Sequence, residues 1–152
     1  MTQKEFINHV LINEIGDVVE HHKWLSFILI CSGIEFLGGC IDQEINNLHA
    51  SNRSRKRFES AIRKLFPPQY EPFLDKSFDL YSQLRCGMNH VTIPGFKIAL
   101  SEASSGHKNL SEWKDRIIFI AEDLFIDFKH ACLKVIDMID RGQIKETFEI
   151  RF

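Results

Sequence analysis

The chain has 152 residues, of which 44% are hydrophobic and 13 are phenylalanine, so it can bury a core and is not an intrinsically disordered protein. This length predicts a single domain that spans residues 1–152. The net charge of −2 excludes the overall basic field of a general nucleic-acid-binding protein, so any site for nucleic acid must be a local cluster.

The first third of the chain is predicted to be helical. Residues 1–5 lack the basic region and apolar stretch of a signal peptide, and an amphipathic helix is predicted over residues 3–21. A second helix, predicted over residues 23–47, is apolar nearly all round as far as Ile41, which indicates that other elements cover most of it. The pair Gly38-Gly39 within it is expected to let another helix approach closely.

The apolar part of this second helix, residues 24–41, resembles a membrane span in composition. It is slightly shorter than the roughly 20 residues that a span needs, and it contains Glu35. A carboxylate in the middle of a bilayer costs about 2.5–3.5 kcal/mol. We therefore predict a buried helix of a soluble protein and no association with a membrane.

Two further helices are predicted in the middle of the chain, between residues 54 and 90. Ser54 is expected to cap the third, which ends at Phe66 before two prolines. The fourth is predicted over residues 72–90 and stops before Pro94-Gly95. Its apolar side chains recur at helical spacing, at Phe78, Tyr81, Leu84 and Met88.

After Pro94-Gly95 the pattern changes from helical spacing to alternation, so residues 96–101 are predicted to be a strand. Residues 116–121 fit a strand or a helix, and the β-branched and aromatic run there favours a strand that closes a hairpin with 96–101. A last helix is predicted over 122–141, with Gly142 as its C-terminal cap. Alternation at Phe148, Ile150 and Phe152 predicts a third strand in the tail. The fold class is therefore mostly α, a helical bundle with a small β-hairpin before the last long helix.

The four cysteines form no Cys-x-x-Cys pair and occur in apolar helical contexts. We interpret them as reduced core thiols of a cytoplasmic protein. They are Cys31, Cys40, Cys86 and Cys132.

The strongest candidate for chemistry is the pair Arg85 and His90 in the fourth predicted helix. A guanidinium holds phosphate oxygens bidentately, and an imidazole transfers protons near neutral pH. Residues i and i+5 lie about 140° apart on an ideal α-helix, but the length of arginine and the position of His90 near the helix end allow the two to converge. The alternative is that Arg85 is a structural ion-pair partner and His90 caps the helix.

Glu35 bears on this candidate, because a carboxylate in an apolar helix needs a cation or several donors as partners. Arg85 is the obvious cation, so we predict a Glu35–Arg85 pair that orients the guanidinium. The same contact would also serve packing specificity alone. Cys86, next to Arg85, is more readily explained as a core residue than as an activated thiol.

The densest basic cluster precedes and begins the third predicted helix, and it could hold RNA phosphates or be a solvated helix face. Its members are Arg53, Arg55, Lys56 and Arg57. The histidines have no spacing typical of a zinc site, and the chain has no phosphate-binding or dinucleotide-binding glycine motif. We therefore predict no metal and no cofactor.

With its Arg-x4-His spacing at Arg85 and His90 in a helical domain, the chain resembles the HEPN (higher eukaryotes and prokaryotes nucleotide-binding) superfamily. The resemblance implies a homodimer in which two motifs face each other to form a metal-independent endoribonuclease, often part of a toxin–antitoxin or phage-defence system. It implies that the arginine binds the scissile phosphate of RNA and that the histidine transfers a proton. An antitoxin or another protein is then a further expected partner.

The chain departs from the pattern of catalytic members at one position, since they usually carry a polar residue directly after the arginine and this chain has Cys86. Asn89, just before His90, is a candidate for the missing polar group. Two alternatives remain: a non-catalytic helical module that binds a nucleotide or a protein, and a structural helical dimer. A basic surface around His90 would favour RNA, whereas an apolar or acidic one would favour a protein partner.

Overall fold

The computed structural model describes residues 1–42, 44, 48 and 50–146. As predicted, the fold is mostly α-helical with a small sheet before the last helix. The predicted strand at Phe148, Ile150 and Phe152 lies outside the described residues. The helices are α1 (Gln3–Phe6), α2 (Ile15–His21), α3 (Lys23–Cys40), α4 (Ser54–Leu65), α5 (Gly87–Val91) and α6 (Ala121–Asp140). The strands are β1 (Ile98–Ser101), β2 (Glu112–Trp113) and β3 (Arg116–Ile120).

The first predicted helix is confirmed as one helical stretch, but its middle is not an α-helix. Thr2 and Glu5 form a capping box at its start, each side chain accepting a hydrogen bond from the other's backbone N–H. Between α1 and α2 the chain forms a π-helix, Ile7–Glu14, whose i→i+5 hydrogen bonds make a wider turn. Apolar spacing cannot reveal such a segment, because it reports only which face is buried.

The central helix of the fold is α3, which packs against α4 and α6 and lies next to α2. A β-carbon at Gly38 would overlap the backbone carbonyl of Arg57 in α4, so the predicted close approach at this glycine is confirmed. The helix ends at Cys40 rather than near residue 47. Among the described residues it alone is long and apolar enough to span a membrane, with a mean hydropathy of 1.4, and 56% of it is buried inside the fold.

Two predictions for the middle of the chain are wrong. Ser54 does not cap α4; it is the first residue of that helix, and Arg53 stands at the cap position, where its side chain makes no capping hydrogen bond. The predicted helix over residues 72–90 is interrupted: a 3₁₀-helix, Pro68–Leu74, is followed by a turn. Asp79 in this turn has φ 59°, which no right-handed helix tolerates. Helix resumes as a second π-helix, Tyr81–Cys86, which continues directly into α5.

The two predicted strands, over 96–101 and 116–121, exist, but they do not form a hairpin with each other. β1 pairs with β3 in parallel, with Ile98 opposite Ile117, and the long connection between them returns the chain to the same end of the sheet. The hairpin is made by β2 and β3. Its two-residue turn, Lys114-Asp115, has positive φ at both positions, as a type I′ turn requires.

The last helix, α6, follows β3 directly and closes the core. The Phe128 ring of α6 contacts the backbone at Gly33 of α3, which leaves no room for a β-carbon there. Gly142 stands just beyond the helix with φ 67° and donates its N–H to the Ile139 carbonyl, so the predicted glycine cap is confirmed. All four cysteines are free thiols; Cys31, Cys40 and Cys132 are buried in the core as predicted, and Cys86 is half-buried.

Candidate functional site

Arg85 and His90 lie on the continuous helical stretch formed by the π-helix Tyr81–Cys86 and α5, which is called the motif helix below. It packs along α3, and its inner face is anchored in the core by Leu84 and Met88, both fully buried. The residues that carry polar chemistry are on the other faces. Arg85 and Asn89 are half-buried, and His90 is exposed.

The predicted pair between Glu35 and Arg85 is confirmed. Arg85 Nε and Nη2 lie 2.8 Å and 2.6 Å from the same oxygen, Glu35 Oε2. Both side chains are about four-fifths buried, with 17% and 21% of their surfaces exposed. Burial by itself would lower the pKa of Arg85, but the Glu35 carboxylate outweighs it and the pKa is raised. The guanidinium is therefore a permanent cation, held along one edge.

The other edge of the guanidinium faces His90, with Arg85 Nη1 3.5 Å from His90 Nε2. An ideal α-helix would place the two residues on different faces. Here the interval begins in the π-helix with Arg85 and Cys86 and continues through α5, and the two side chains nevertheless meet. The predicted convergence is confirmed as a contact.

Asn89 and Cys86, the other two candidate residues of the motif, are both turned to structural contacts. Asn89 Nδ2 donates to Ser32 Oγ of α3 at 2.6 Å, and its Oδ1 is buried with no hydrogen-bond partner among the described residues. The thiol of Cys86 is half-buried next to Tyr81, whose hydroxyl has a pKa raised mainly by burial. The role of Asn89 as the missing polar group of the motif stays a prediction.

The basic cluster of the sequence forms ion pairs instead of a free positive surface. Arg53 and Arg57 both bind Asp42, at 3.0 Å and 3.1 Å, and only 4% of the Arg57 side chain is exposed. Lys56 binds Glu44 at 2.7 Å. An external phosphate cannot reach Arg57 in this arrangement. Binding of RNA by this cluster stays a prediction.

Arg55 differs from the rest of the cluster because it reaches the motif helix. It binds Asp79 Oδ1 at 2.6 Å and Ser82 Oγ at 2.9 Å, and about half of its side chain is exposed. Its guanidinium carbon lies 4.6 Å from the centre of the Tyr81 ring, and that of Arg85 lies 5.6 Å from the same ring. Both distances allow a cation–π contact. Tyr81 thus joins two cations that the sequence places 30 residues apart.

One contact, at the far end of the motif helix, was not predicted from the sequence. The indole Nε1 of Trp24, in the first turn of α3, donates to the backbone carbonyl of Thr92 at 2.9 Å. The surface beside it is apolar, with Val91 and Ile93 each more than 60% exposed and Leu25 51% exposed. The only signal in the sequence was the apolar pair that flanks Thr92, next to His90.

Comparison of the chain with protein-family models, with curated proteins and with solved structures found no match. Within the described part of the chain, no group of three or more histidine, cysteine, aspartate or glutamate side chains is arranged to hold a metal ion. The features that point to a function are the Arg85–His90 contact and the surface around it.

Proposed function

We propose that this protein is a HEPN-like, metal-independent endoribonuclease that acts as a homodimer, with Arg85 holding the scissile phosphate and His90 transferring a proton. The observation that carries the proposal is the approach of Arg85 Nη1 to His90 Nε2 at 3.5 Å, with the opposite edge of the guanidinium held by Glu35. A cation and a proton carrier thus meet at one exposed point.

Cleavage of RNA by its own 2′-hydroxyl requires a base, an acid and a cation that stabilises negative charge on the phosphate. The ribose 2′-oxygen forms a bond to phosphorus while its proton passes to a base, and the bond from phosphorus to the 5′-oxygen breaks as that oxygen takes a proton from an acid. The products are a 2′,3′-cyclic phosphate and a 5′-hydroxyl. Negative charge grows on the non-bridging oxygens, where the guanidinium of Arg85 stabilises it.

A homodimer would supply what one chain lacks. One motif offers a single imidazole, which cannot act as base and acid at the same moment, whereas a two-fold axis brings a second copy of His90. The exposed apolar side chains of Val91 and Ile93 flank the motif, and Leu25 and Leu29 lie on the same face of α3 as Ser32, which binds Asn89. A second chain seated there would cover this apolar surface.

RNA binding at the same place is supported by Arg55. Its half-exposed guanidinium lies over Tyr81 on the motif helix, so a phosphate neighbouring the scissile one could be met by a second cation. All four members of the basic cluster are paired with carboxylates, Arg55 with Asp79, but only Arg55 also reaches the motif helix. The proposal therefore assigns RNA contact to Arg55 and Arg85 rather than to the whole cluster.

A second candidate function is a non-catalytic module that binds another protein, and a specific observation favours it. The surface around His90 is apolar rather than basic, with Val91 62% and Ile93 61% exposed. An apolar helix or strand of a partner would cover this surface as well as a second copy of this chain would. In a toxin–antitoxin setting such a partner would be the antitoxin.

The test is incubation of the purified protein with end-labelled mixed RNA in the presence of EDTA. We expect the wild-type protein to cleave, and we expect His90→Ala and Arg85→Ala to lose at least about 100-fold in rate, because each removes a group that acts in the transition state. The matched control is His130→Ala, which removes an exposed histidine of α6 and should retain the full rate.

Two further measurements separate the candidates. Mixing wild-type protein with an excess of His90→Ala protein tests whether motifs on two chains act together, because the mixed dimer contains a single His90 and should not cleave RNA. If the wild-type protein leaves RNA intact, or is monomeric at micromolar concentration, the ribonuclease proposal is wrong. The protein-binding module then takes its place.

A further inference from the structure

Three side chains of α3 contact the stretch that carries the candidate motif, and together they follow its length. Glu35 binds Arg85, Ser32 accepts a hydrogen bond from Asn89, and Trp24 donates to the carbonyl of Thr92. His90 stands between the second and the third of these contacts. The first was expected from the charge of the two residues, whereas the third involves a tryptophan to which no function has been assigned above.

The residue that Trp24 contacts is held in an unfavourable backbone conformation. Thr92 has φ 58° and ψ 17°, in the left-handed region, which is a true outlier for a β-branched residue. Such a conformation persists only when the surrounding structure enforces it. It ends α5 two residues after His90 and reverses the direction of the chain.

The reversed chain folds back onto the motif helix through three backbone hydrogen bonds. Thr92 N–H donates to the Met88 carbonyl at 3.1 Å, Ile93 N–H to the Gly87 carbonyl at 3.3 Å, and Gly95 N–H to the Gln83 carbonyl at 2.6 Å. The close approach depends on Gly87, where a β-carbon would collide with the Ile93 carbonyl. Residues 92–95 are thus a strap over the last turns of the motif helix.

We propose that Trp24 is a positioning residue for His90, acting through its hydrogen bond to the Thr92 carbonyl. This bond is the side-chain contact that ties the strap to α3, the helix that also holds Arg85 through Glu35. His90, through the strap, and Arg85, through Glu35, are therefore both held in position by α3. The 3.5 Å approach between them depends on the Trp24–Thr92 bond and on the Glu35–Arg85 pair. Where it concerns catalysis, the inference depends on the ribonuclease proposed above.

The surface position of Trp24 argues against a role in core packing alone. About half of the side chain, 48%, is exposed, so its burial contributes less than that of the fully buried Phe27 one turn further along α3. Trp24 differs from a phenylalanine at the same place in its N–H donor and in its larger ring. Because Trp24→Phe removes both, the test needs a second half-exposed tryptophan as its control.

The test compares Trp24→Phe with Trp113→Phe in the full-length chain. Trp113 is the matched control: it is 41% exposed, lies in β2, and its ring contacts His107 and Lys114 rather than the strap. The chain has two tryptophans, so an ¹⁵N-resolved NMR spectrum contains two indole N–H signals that these variants assign. We expect the Trp24 indole proton to exchange with solvent about tenfold more slowly than that of Trp113.

In Trp24→Phe, the amide protons of Thr92, Ile93 and Gly95 should exchange about five- to tenfold faster, the change expected for loss of one ordinary hydrogen bond. Amide protons in the middle of α6, such as those of Phe128 and Cys132, should be unchanged. RNA cleavage should show a fall of about tenfold in kcat with little change in KM, because the catalytic geometry loosens while the phosphate-binding cation stays in place. Trp113→Phe should change none of these values.

Two results would overturn the positioning role: equal exchange of the two indole protons, or unchanged exchange at residues 92–95 in Trp24→Phe. An unchanged kcat in an active enzyme would overturn it as well. If the wild-type protein does not cleave RNA at all, the proposed function fails, while the exchange measurements still decide whether Trp24 holds the strap.

Discussion

The basic cluster of α4 and the Arg85–His90 motif are two cationic regions that meet at Tyr81. They differ in how far nearby carboxylates occupy their guanidinium groups. In the cluster, Asp42 binds two arginines, and one of these, Arg57, is buried. In the motif, Glu35 occupies only one edge of the Arg85 guanidinium and leaves the other beside His90. A run of basic residues in the sequence therefore does not show how many cations can bind a ligand, because carboxylates distant in sequence pair with some of them.

The pKa of Asp42 reflects its pairing with two arginines. Burial by itself would raise the pKa of Asp42, but hydrogen bonds from Arg53 and Arg57 outweigh it and the pKa is lowered. Asp79, at the end of the cluster, has a lowered pKa chiefly because Arg55 donates to it. Both carboxylates are structural partners of α4. Removal or protonation of Asp42, which among the described residues contacts none of the proposed RNA site, should change stability rather than activity.

The largest expected effect is that of Asp42→Ala. This change removes the carboxylate that faces Arg57, whose side chain is only 4% exposed, and we expect a loss of about 3 kcal/mol in the free energy of unfolding. The measurement is a urea titration followed by circular dichroism. Glu44→Ala is the control, because Glu44 is 62% exposed and its ion pairs are screened by water, so this variant should lose little stability. Equal losses in the two variants would remove the distinction between a buried and an exposed part of the cluster.

Glu35→Ala should have a smaller effect on stability and a larger one on activity. The Glu35–Arg85 pair is about one-fifth exposed, so water can reach part of the orphaned guanidinium, and we expect a loss of about 2 kcal/mol. With its orienting partner gone, Arg85 should no longer be held beside His90, and RNA cleavage should fall at least about tenfold.

Glu35→Gln sharpens this comparison, since it keeps an oxygen acceptor of the same shape while removing the charge. Its stability should lie between those of Glu35→Ala and the wild-type protein. Glu14→Ala, which removes an exposed carboxylate from the N-terminal π-helix, should match the wild-type protein in both measurements. A Glu35→Ala variant with full stability and full activity would mean that the motif does not depend on α3.

The smallest expected effect is a difference in acid sensitivity. A carboxyl group whose pKa is lower in the folded than in the unfolded chain stabilises the fold above its ordinary pKa, and this contribution is lost as the pH falls through the folded value. For Asp42 and Asp79 the ordinary value is 3.8, so the loss begins near it and continues below it. Melting temperatures measured between pH 3 and pH 7 should therefore fall less steeply at the acid end for Asp42→Ala than for the wild-type protein. Asp17→Ala, an exposed aspartate outside both regions, should follow the wild-type curve.

Much of the fold could be predicted from local patterns. The run Ile117-Ile118-Phe119-Ile120 indicated β3 because β-branched and aromatic side chains suit a pleated surface, and Gly142 marked the end of α6 because a left-handed cap favours glycine. The direction in which β1 pairs could not be predicted, since alternation shows which face is buried but not which way the neighbouring strand runs.

Part of the candidate site was also accessible from the sequence. A carboxylate and a guanidinium in two apolar helices each need a partner, so the contact between Glu35 and Arg85 followed from their desolvation. The contact between Trp24 and Thr92 had no such signal, because an indole N–H and a backbone carbonyl 68 residues apart leave no pattern in composition or spacing. The same is true of Asp42 as the counterion of Arg57.

The sequence by itself determined that this protein is mostly helical, that α3 is buried along most of its length, and that Glu35 pairs with Arg85, because burial of apolar surface and desolvation of charge act on residue types wherever the chain places them. Only the tertiary structure decided that the helix resumes after Asp79 as a π-helix, that the side chains of Arg85 and His90 approach to 3.5 Å, and that Trp24 ties the strap at Thr92 to α3. These features depend on how α3 and the motif helix pack against each other. Their relative position cannot be read from either segment alone.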